Sequence, residues 1–207
     1  MWIKICGITS EQAVQAALKA GVDALGFVFA PSPRRLDPAQ AAQLALPARG
    51  LVRCVAVTLH PSQEQIDAIL RHFEPDVLQT DLTDFARLRL PAALARLPVL
   101  RARPAPGSPL PRRLLFEGPR SGSGTIGDWQ EAAALALSGE LVLAGGLDAR
   151  NVGSAIAAVR PFGVDVSSGV EDAPGHKHPA KITEFVRAAR AASSEIEHES
   201  VRNSRGS

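Results

Sequence analysis

Short apolar runs alternate along this chain with segments in which apolar residues return at helical spacing, the sequence sign of βαβ units on a parallel sheet. The pattern predicts strands at 2–6, 23–29, 51–58, 76–80, 98–102, 113–117, 140–144 and 162–166. Several are apolar at every position, as expected where one face fills a barrel and the other meets helices. Helices are expected at 10–20, 38–46, 62–73, 82–95, 128–138, 149–159 and 178–193. Eight evenly spaced strands in a chain of 207 residues come close to the minimum for a closed α/β barrel of the (β/α)8 type.

Local signals mark the boundaries. Ser10 opens the first helix and Gly21 stops it, Pro38 follows Asp37 at a first-turn position, and Asp148 is placed to cap the helix that contains Asn151. One unit departs from the pattern. Residues 103–112 carry four prolines and a glycine, so the fifth crossover helix is expected to be missing or very short. The barrel is expected to form a single domain over 1–193. Residues 194–207, polar with only two aliphatic side chains, are expected to form a disordered tail.

Composition narrows the class. The chain is 45% hydrophobic and 21% charged, with no apolar run long enough to span a membrane. Its N-terminus enters a strand directly, without a secretory leader, which points to the cytoplasm. Net charge is +2 and the basic residues are scattered rather than gathered on one face, so nothing calls for nucleic acid. Cys6 and Cys54 are read as two reduced thiols. Monomer and homodimer are both compatible with the sequence.

In parallel barrels the reacting groups stand at the C-terminal strand ends and in the loops that follow. Those positions hold Cys6, Arg34, Gln79, Asp81, Arg101, Arg103, Glu117, Gly145-Gly146 and Asp165 to Gly169. The glycines after strand seven and the Ser168-Gly169 pair after strand eight let backbone amides approach an anion, so these two loops are read as a phosphate site. Strand position alone leaves Cys6 either a small buried hydrophobe or a thiolate at the barrel mouth, its pKa lowered by neighbours such as Lys4. Cys54 lies mid-strand and reads as core. The histidines at 60, 72, 176, 178 and 197 lie on helices, loops or the tail and form no convincing metal set.

Several motifs together resemble one family. They are Lys4-Ile-Cys-Gly-Ile-Thr9, Gly26-Phe-Val-Phe29, the Ser-Pro-Arg-Arg run at 32–35, Asp128-Trp129, Leu143-Ala-Gly-Gly-Leu147, Asn151-Val152, and Val164-Asp-Val-Ser-Ser-Gly-Val-Glu171 with Pro174-Gly175. In this order they resemble the phosphoribosylanthranilate isomerase family of tryptophan biosynthesis, from residue 2 to about 190. The resemblance implies an Amadori rearrangement by general acid–base chemistry on a small phosphorylated substrate, with no metal or organic cofactor. It implies that Cys6 is the general base, that Arg34 grips the anthranilate carboxylate, and that Asp165 binds substrate hydroxyls. Lys4 and Gln79 join the substrate-binding set, and Gly145, Gly146, Ser168 and Gly169 bind the phosphate.

Two positions depart from the family. Its acid is an aspartate on strand six, where this chain has Leu114-Leu115-Phe116-Glu117. Counting from the strand start puts Phe116 in that slot, and counting back from Ser121–Gly124 favours Glu117. A one-residue offset turns a side chain to the opposite face, so Glu117 is expected to reach inward through a bulge. At the end of strand four the family usually has Gln-Leu-His-Gly, and here Asp81 stands in the histidine's place. A barrel acting on another sugar phosphate, or one that binds phosphorylated ligands without catalysis, would share the fold and the glycine loops.

Overall fold

A computed structural model describes residues 1–102, 108–117 and 129–205, with the backbone alone at 197 and 199–205. Eight parallel strands form a closed barrel in sequence order: β1 (Trp2–Cys6), β2 (Ala24–Val28), β3 (Arg53–Val57), β4 (Val77–Asp81), β5 (Ala95–Leu100), β6 (Arg113–Phe116), β7 (Glu140–Leu143) and β8 (Gly163–Val166). The seam closes where β8 pairs with β1, with Lys4 level with Asp165. Proline-rich residues 103–107 (with Arg103), residues 118–128 (with Ser121–Gly124 and Asp128) and residues 206–207 lie outside the described residues.

The helices that cover the barrel start and stop where local chemistry dictates. Ser10 accepts a hydrogen bond from the Ala13 amide to open α1 (Glu11–Ala20), and Gly21, at φ 77°, ends it. Asp37 and Gln40 form a capping box on α2 (Pro38–Ala45), and Ser62 caps α3 (Gln63–His72). Asp148 accepts from the amides of Arg150 and Asn151, ordering the turn that leads into α5 (Val152–Val159). Before α5, α4 (Trp129–Ala136) precedes β7.

The fourth crossover differs from expectation. In place of a helix over 82–95 there is one 3-10 turn, Leu82–Ala86, and β5 begins at Ala95, earlier than the expected 98. Asp84 spends its carboxylate on Thr80, Arg87 and His60 rather than leaving the backbone to wind, and Pro91 bars a helix further on. The fifth crossover has no helix among the described residues. At the other end α6 (Pro179–Arg205) runs through the stretch expected to be a disordered tail. Ile196, one of the two aliphatic residues there, packs against the main core and draws the helix onward. Between β8 and α6 the backbone makes a small antiparallel hairpin, β9 (Glu171–Ala173) with β10 (His176–Lys177), which turns at Pro174-Gly175.

Strand alternation sorts side chains into two sets. Ile3, Ile5, Leu25, Phe27, Cys54, Ala56, Leu78, Leu114, Phe116, Leu141, Leu143, Val164 and Val166 join the core beneath the helices. Leu97, Val99, Leu115, Val142 and Ala144 form a separate cluster inside the barrel, with Cys6 and Val28 in another. Phe116 therefore faces the helices. Glu117 shares the inward parity of Leu115, so no bulge is needed to turn it toward the mouth, and its amide continues the ladder to the Leu100 carbonyl at 3.2 Å.

Asp84 ties the fourth unit together. Burial alone would raise its carboxyl pKa, but hydrogen bonds from Thr80, Arg87 and His60 outweigh burial and hold it at about 2. A depressed carboxyl stabilises the fold above its unfolded value of 3.8, and that contribution is lost as pH falls toward 2. The shift corresponds to about 2 kcal/mol. Asp84→Asn is expected to lower stability at pH 7 and to flatten the loss between pH 4 and pH 2 (roughly that window) in urea titrations; an unchanged acid limb would refute this.

Candidate active site

The mouth is built around Lys4 and Cys6, successive inward positions on β1. Lys4 is fully buried, and its Nζ lies 2.8 Å from Asp165 Oδ1 across the seam. Burial would lower the lysine pKa, but Asp165 and then Cys6 raise it beyond its ordinary value, so the ammonium stays charged. Gly26 makes the room. It stands level with Cys6 in the next strand, and a Cβ there would come 3.0 Å from both Cys6 Sγ and Lys4 Cε.

Cys6 corrects one expectation. Its neighbours do not bring the thiol below its ordinary value: burial pushes it up more than Lys4 and Lys177 pull it down, and Asp165 adds to the rise. The two lysines still make the site electropositive, so a thiolate formed there has cationic partners at hand. Cys54 sits in the outer core as read from the sequence, its thiol pushed up to about 11 by burial and Asp76.

A second cluster lies over Cys6. Arg34 donates through Nε and Nη2 to the two carboxylate oxygens of Glu171, at 2.8 and 2.6 Å. Glu171 also receives Lys177 Nζ, which reaches the Ser167 carbonyl at 3.2 Å. Burial lowers the Lys177 pKa, Glu171 opposes that, and the net direction is down. Glu171 is pushed up by burial but held below its ordinary value by Arg34 and Lys177. The fork of Arg34 is thus committed to Glu171, while Nη1 takes no part in that pair. Gly7, at φ 77°, is where the Arg34 side chain crosses the backbone, and a Cβ there would collide with it.

Three adjacent strand ends make a third cluster. Arg101, just past β5, donates through Nε to Asp81 Oδ1 at 3.0 Å and through Nη1 to Glu117 Oε2 at 2.9 Å. His60, from the loop after β3, brings Nε2 to 3.7 Å from Asp81 and is held through Nδ1 by Asp84 at 3.1 Å. An imidazole therefore does stand beside position 81, supplied by another loop. Gln79, inward on β4 and 6% exposed, has a side-chain oxygen with no hydrogen-bond partner among the described residues. A buried acceptor left open in this way fits a ligand hydroxyl.

The glycine loops meet between these clusters, at the ends of β7 and β8. Gly145 and Gly146 both have positive φ, 91° and 64°, and a Cβ on Gly145 would lie 2.5 Å from the Glu117 carbonyl. Ser168 and Gly169 open a short 3-10 turn, where amides have no partner within the turn, and Gly169 packs directly on the Leu147 carbonyl. Loops seven and eight are therefore in contact. The sequence motifs assign no site role to Glu171, Lys177, Arg101 or His60. Glu171 closes the motif that begins at Val164, and Lys177 follows Pro174-Gly175 closely, so these motifs carry the signal. Arg101 stands at a strand end with no motif around it, and His60 lies in a loop with no spacing to mark it. Among the described residues no group of three His, Cys, Asp or Glu is placed to hold a metal ion.

Comparison with known proteins places the chain's similarity in one family. The family model described as N-(5'phosphoribosyl)anthranilate (PRA) isomerase matches residues 3–188. An N-(5'-phosphoribosyl)anthranilate isomerase of Mesorhizobium japonicum is 40% identical over 210 residues, covering 92% of this chain and 95% of the relative. The crystal structure of phosphoribosyl anthranilate isomerase from Thermus thermophilus is similar with a TM-score of 0.79 at 29% identity, covering 92% of this chain and 99% of that one. Another phosphoribosyl anthranilate isomerase structure, a complex with reduced 1-(o-carboxyphenylamino)-1-deoxyribulose 5-phosphate, has a TM-score of 0.73 at 27% identity, covering 92% and 99%.

The charge pattern around Cys6 gives a direct expectation. In a Cys54→Ala background, the alkylation rate of Cys6 should rise with pH to a midpoint above the ordinary value of 9.0. Lys4→Met should move that midpoint higher still, because it removes the nearer cation and leaves Asp165 unanswered. A midpoint below 9.0 in the parent, or one lowered by Lys4→Met, would show that burial does not dominate.

Proposed function

The chain belongs to the N-(5'-phosphoribosyl)anthranilate isomerase family, and we propose that it performs that family's reaction with Cys6 as general base and Glu117 as general acid. As an isomerase of tryptophan biosynthesis it is an intramolecular oxidoreductase. The family match removes the reading as a barrel for a different sugar phosphate. The observation that supports the residue roles is parity: Cys6 and Glu117 occupy inward positions at the ends of β1 and β6, so a thiol and a carboxyl border one mouth.

Glu117 gives its proton to the furanose ring oxygen of phosphoribosylanthranilate as the C1–O bond breaks. The lone pair of the anthranilate nitrogen forms the C1–N double bond, leaving a Schiff base. The Cys6 thiolate then takes the C2 proton, and the freed electron pair makes the C1–C2 double bond as the C1–N π pair returns to nitrogen; the resulting enol gains a proton at C1 and loses its C2 hydroxyl proton to give the ketone. Base and acid need one proton between them. Lys4 and Lys177 stabilise the thiolate while the proton is on the carboxyl.

The remaining residues bind. Amides of Gly145, Gly146, Ser168 and Gly169 hold the phosphate, Asp165 and Gln79 take the sugar hydroxyls, and Nη1 of Arg34 meets the anthranilate carboxylate. Lys4 acts through Asp165 and Cys6 rather than by facing open space. The enzyme works in the cytoplasm, where its two free thiols stay reduced.

Turnover followed by loss of substrate fluorescence tests the two roles. Cys6→Ser should nearly abolish turnover with binding largely kept, and Glu117→Gln should lose at least about 100-fold in kcat. Near parental rates in either variant would remove that residue from the chemistry. For the phosphate loops, Gly146→Val should raise KM strongly and inorganic phosphate should compete with substrate; an unchanged KM would place the phosphate elsewhere.

A further inference from the structure

Asp81 stands in the same cluster as the proposed acid, and its geometry gives it a task. Arg101 lies between two carboxylates at three neighbouring strand ends, reaching Asp81 through Nε at 3.0 and 3.4 Å and Glu117 through Nη1 at 2.9 Å. All three side chains are mostly buried, with 16% to 29% of their surface exposed. Asp81 is itself steadied from the other side. His60 faces it at 3.7 Å, and that ring is fixed by Asp84, whose carboxylate also takes Thr80 and Arg87. A line of contacts thus runs from the Asp84 anchor through His60, Asp81 and Arg101 to Glu117.

We propose that Asp81 is a positioning residue for the general acid, holding Arg101 as a charge partner so that Glu117 can carry a proton without leaving the guanidinium unpaired. This rests on the reading of Glu117 as the acid. Arg101 faces two carboxylates, so one of them can carry a proton while the other still answers the guanidinium. A partly buried cation without a counter-ion is costly. With Asp81 present, Arg101 keeps an anionic partner while Glu117 is neutral. Without Asp81, Arg101 has Glu117 as its anionic partner in the cluster and opposes that carboxylate's protonation. The planar fork of arginine suits this sharing, since separate nitrogens serve the two acids.

The consequence lies in kcat rather than in substrate affinity. Asp81→Asn should lower kcat about tenfold, within the range of direct neighbour coupling, with KM nearly unchanged. Asp81→Glu, which restores the charge, should recover most of that loss. In a Glu117→Gln background, where no acid remains to be seated, Asp81→Asn should change kcat by less than about twofold. Unchanged kcat in Asp81→Asn overturns the proposal, as does an equal loss in both backgrounds, which would mean that Asp81 acts independently of Glu117. Loss of kcat unrelieved in Asp81→Glu also overturns it. Glu117→Gln by itself reports on the acid: a near parental rate in that variant removes the acid assignment, whereas a large loss there with no effect of Asp81→Asn removes only the role of Asp81.

Discussion

Lys4 has no exposed surface, and its ammonium is answered by Asp165 across the seam where the last strand closes on the first. A buried pair of this kind contributes little net stability, because desolvation consumes most of the attraction, yet removing one partner leaves an uncompensated charge at a cost of about 3–5 kcal/mol. Its main consequence is positional. Closure in any other register would strand both charges, so the pair ties the register of the barrel to the placement of a cation beside Cys6.

The rest of the mouth repeats that logic of one charge shared by several partners. Glu171 holds both Arg34 and Lys177, so two cations are brought near Cys6 without facing each other unscreened. Arg101 holds both Asp81 and Glu117, so two carboxylates sit on one rim around a single cation. The thiol side is consequently rich in positive charge and the opposite rim in negative charge. That division matches chemistry in which a base must bear a negative charge and an acid must hold a proton. Burial works against the Cys6 thiolate and the neighbouring cations work for it.

Much of this was legible along the chain. Eight strands, the caps at Ser10 and Asp37, the stop at Gly21 and the glycine loops all follow from local pattern, because propensity, pleat and capping act over a few residues. The motifs around Cys6 and Asp165 pointed to the site for the same reason. Legibility failed where a local preference was overruled at a distance. Residues 82–95 have a helical pattern, but the hydrogen bonds of Asp84 and the proline at 91 leave one short turn. The polar C-terminal stretch lacks a core of its own, and its helix is drawn on by the packing of Ile196 against other elements.

By itself, the sequence determined the fold class, the order of the units, the family and the strand ends at which chemistry is placed, since each is written in short-range pattern. Tertiary structure alone decided which charges meet. Arg34 and Glu171 are 137 positions apart, and Lys4 and Asp165 are 161 apart, so no spacing rule along the chain joins them. It also decided the face of Glu117: strand counting was ambiguous by one residue, and the packing of Phe116 beneath the helices and of Leu115 inside the barrel settled the parity. The same holds for the thiol, whose ionisation is a balance between burial and neighbouring charge, quantities that exist only once the strands have closed.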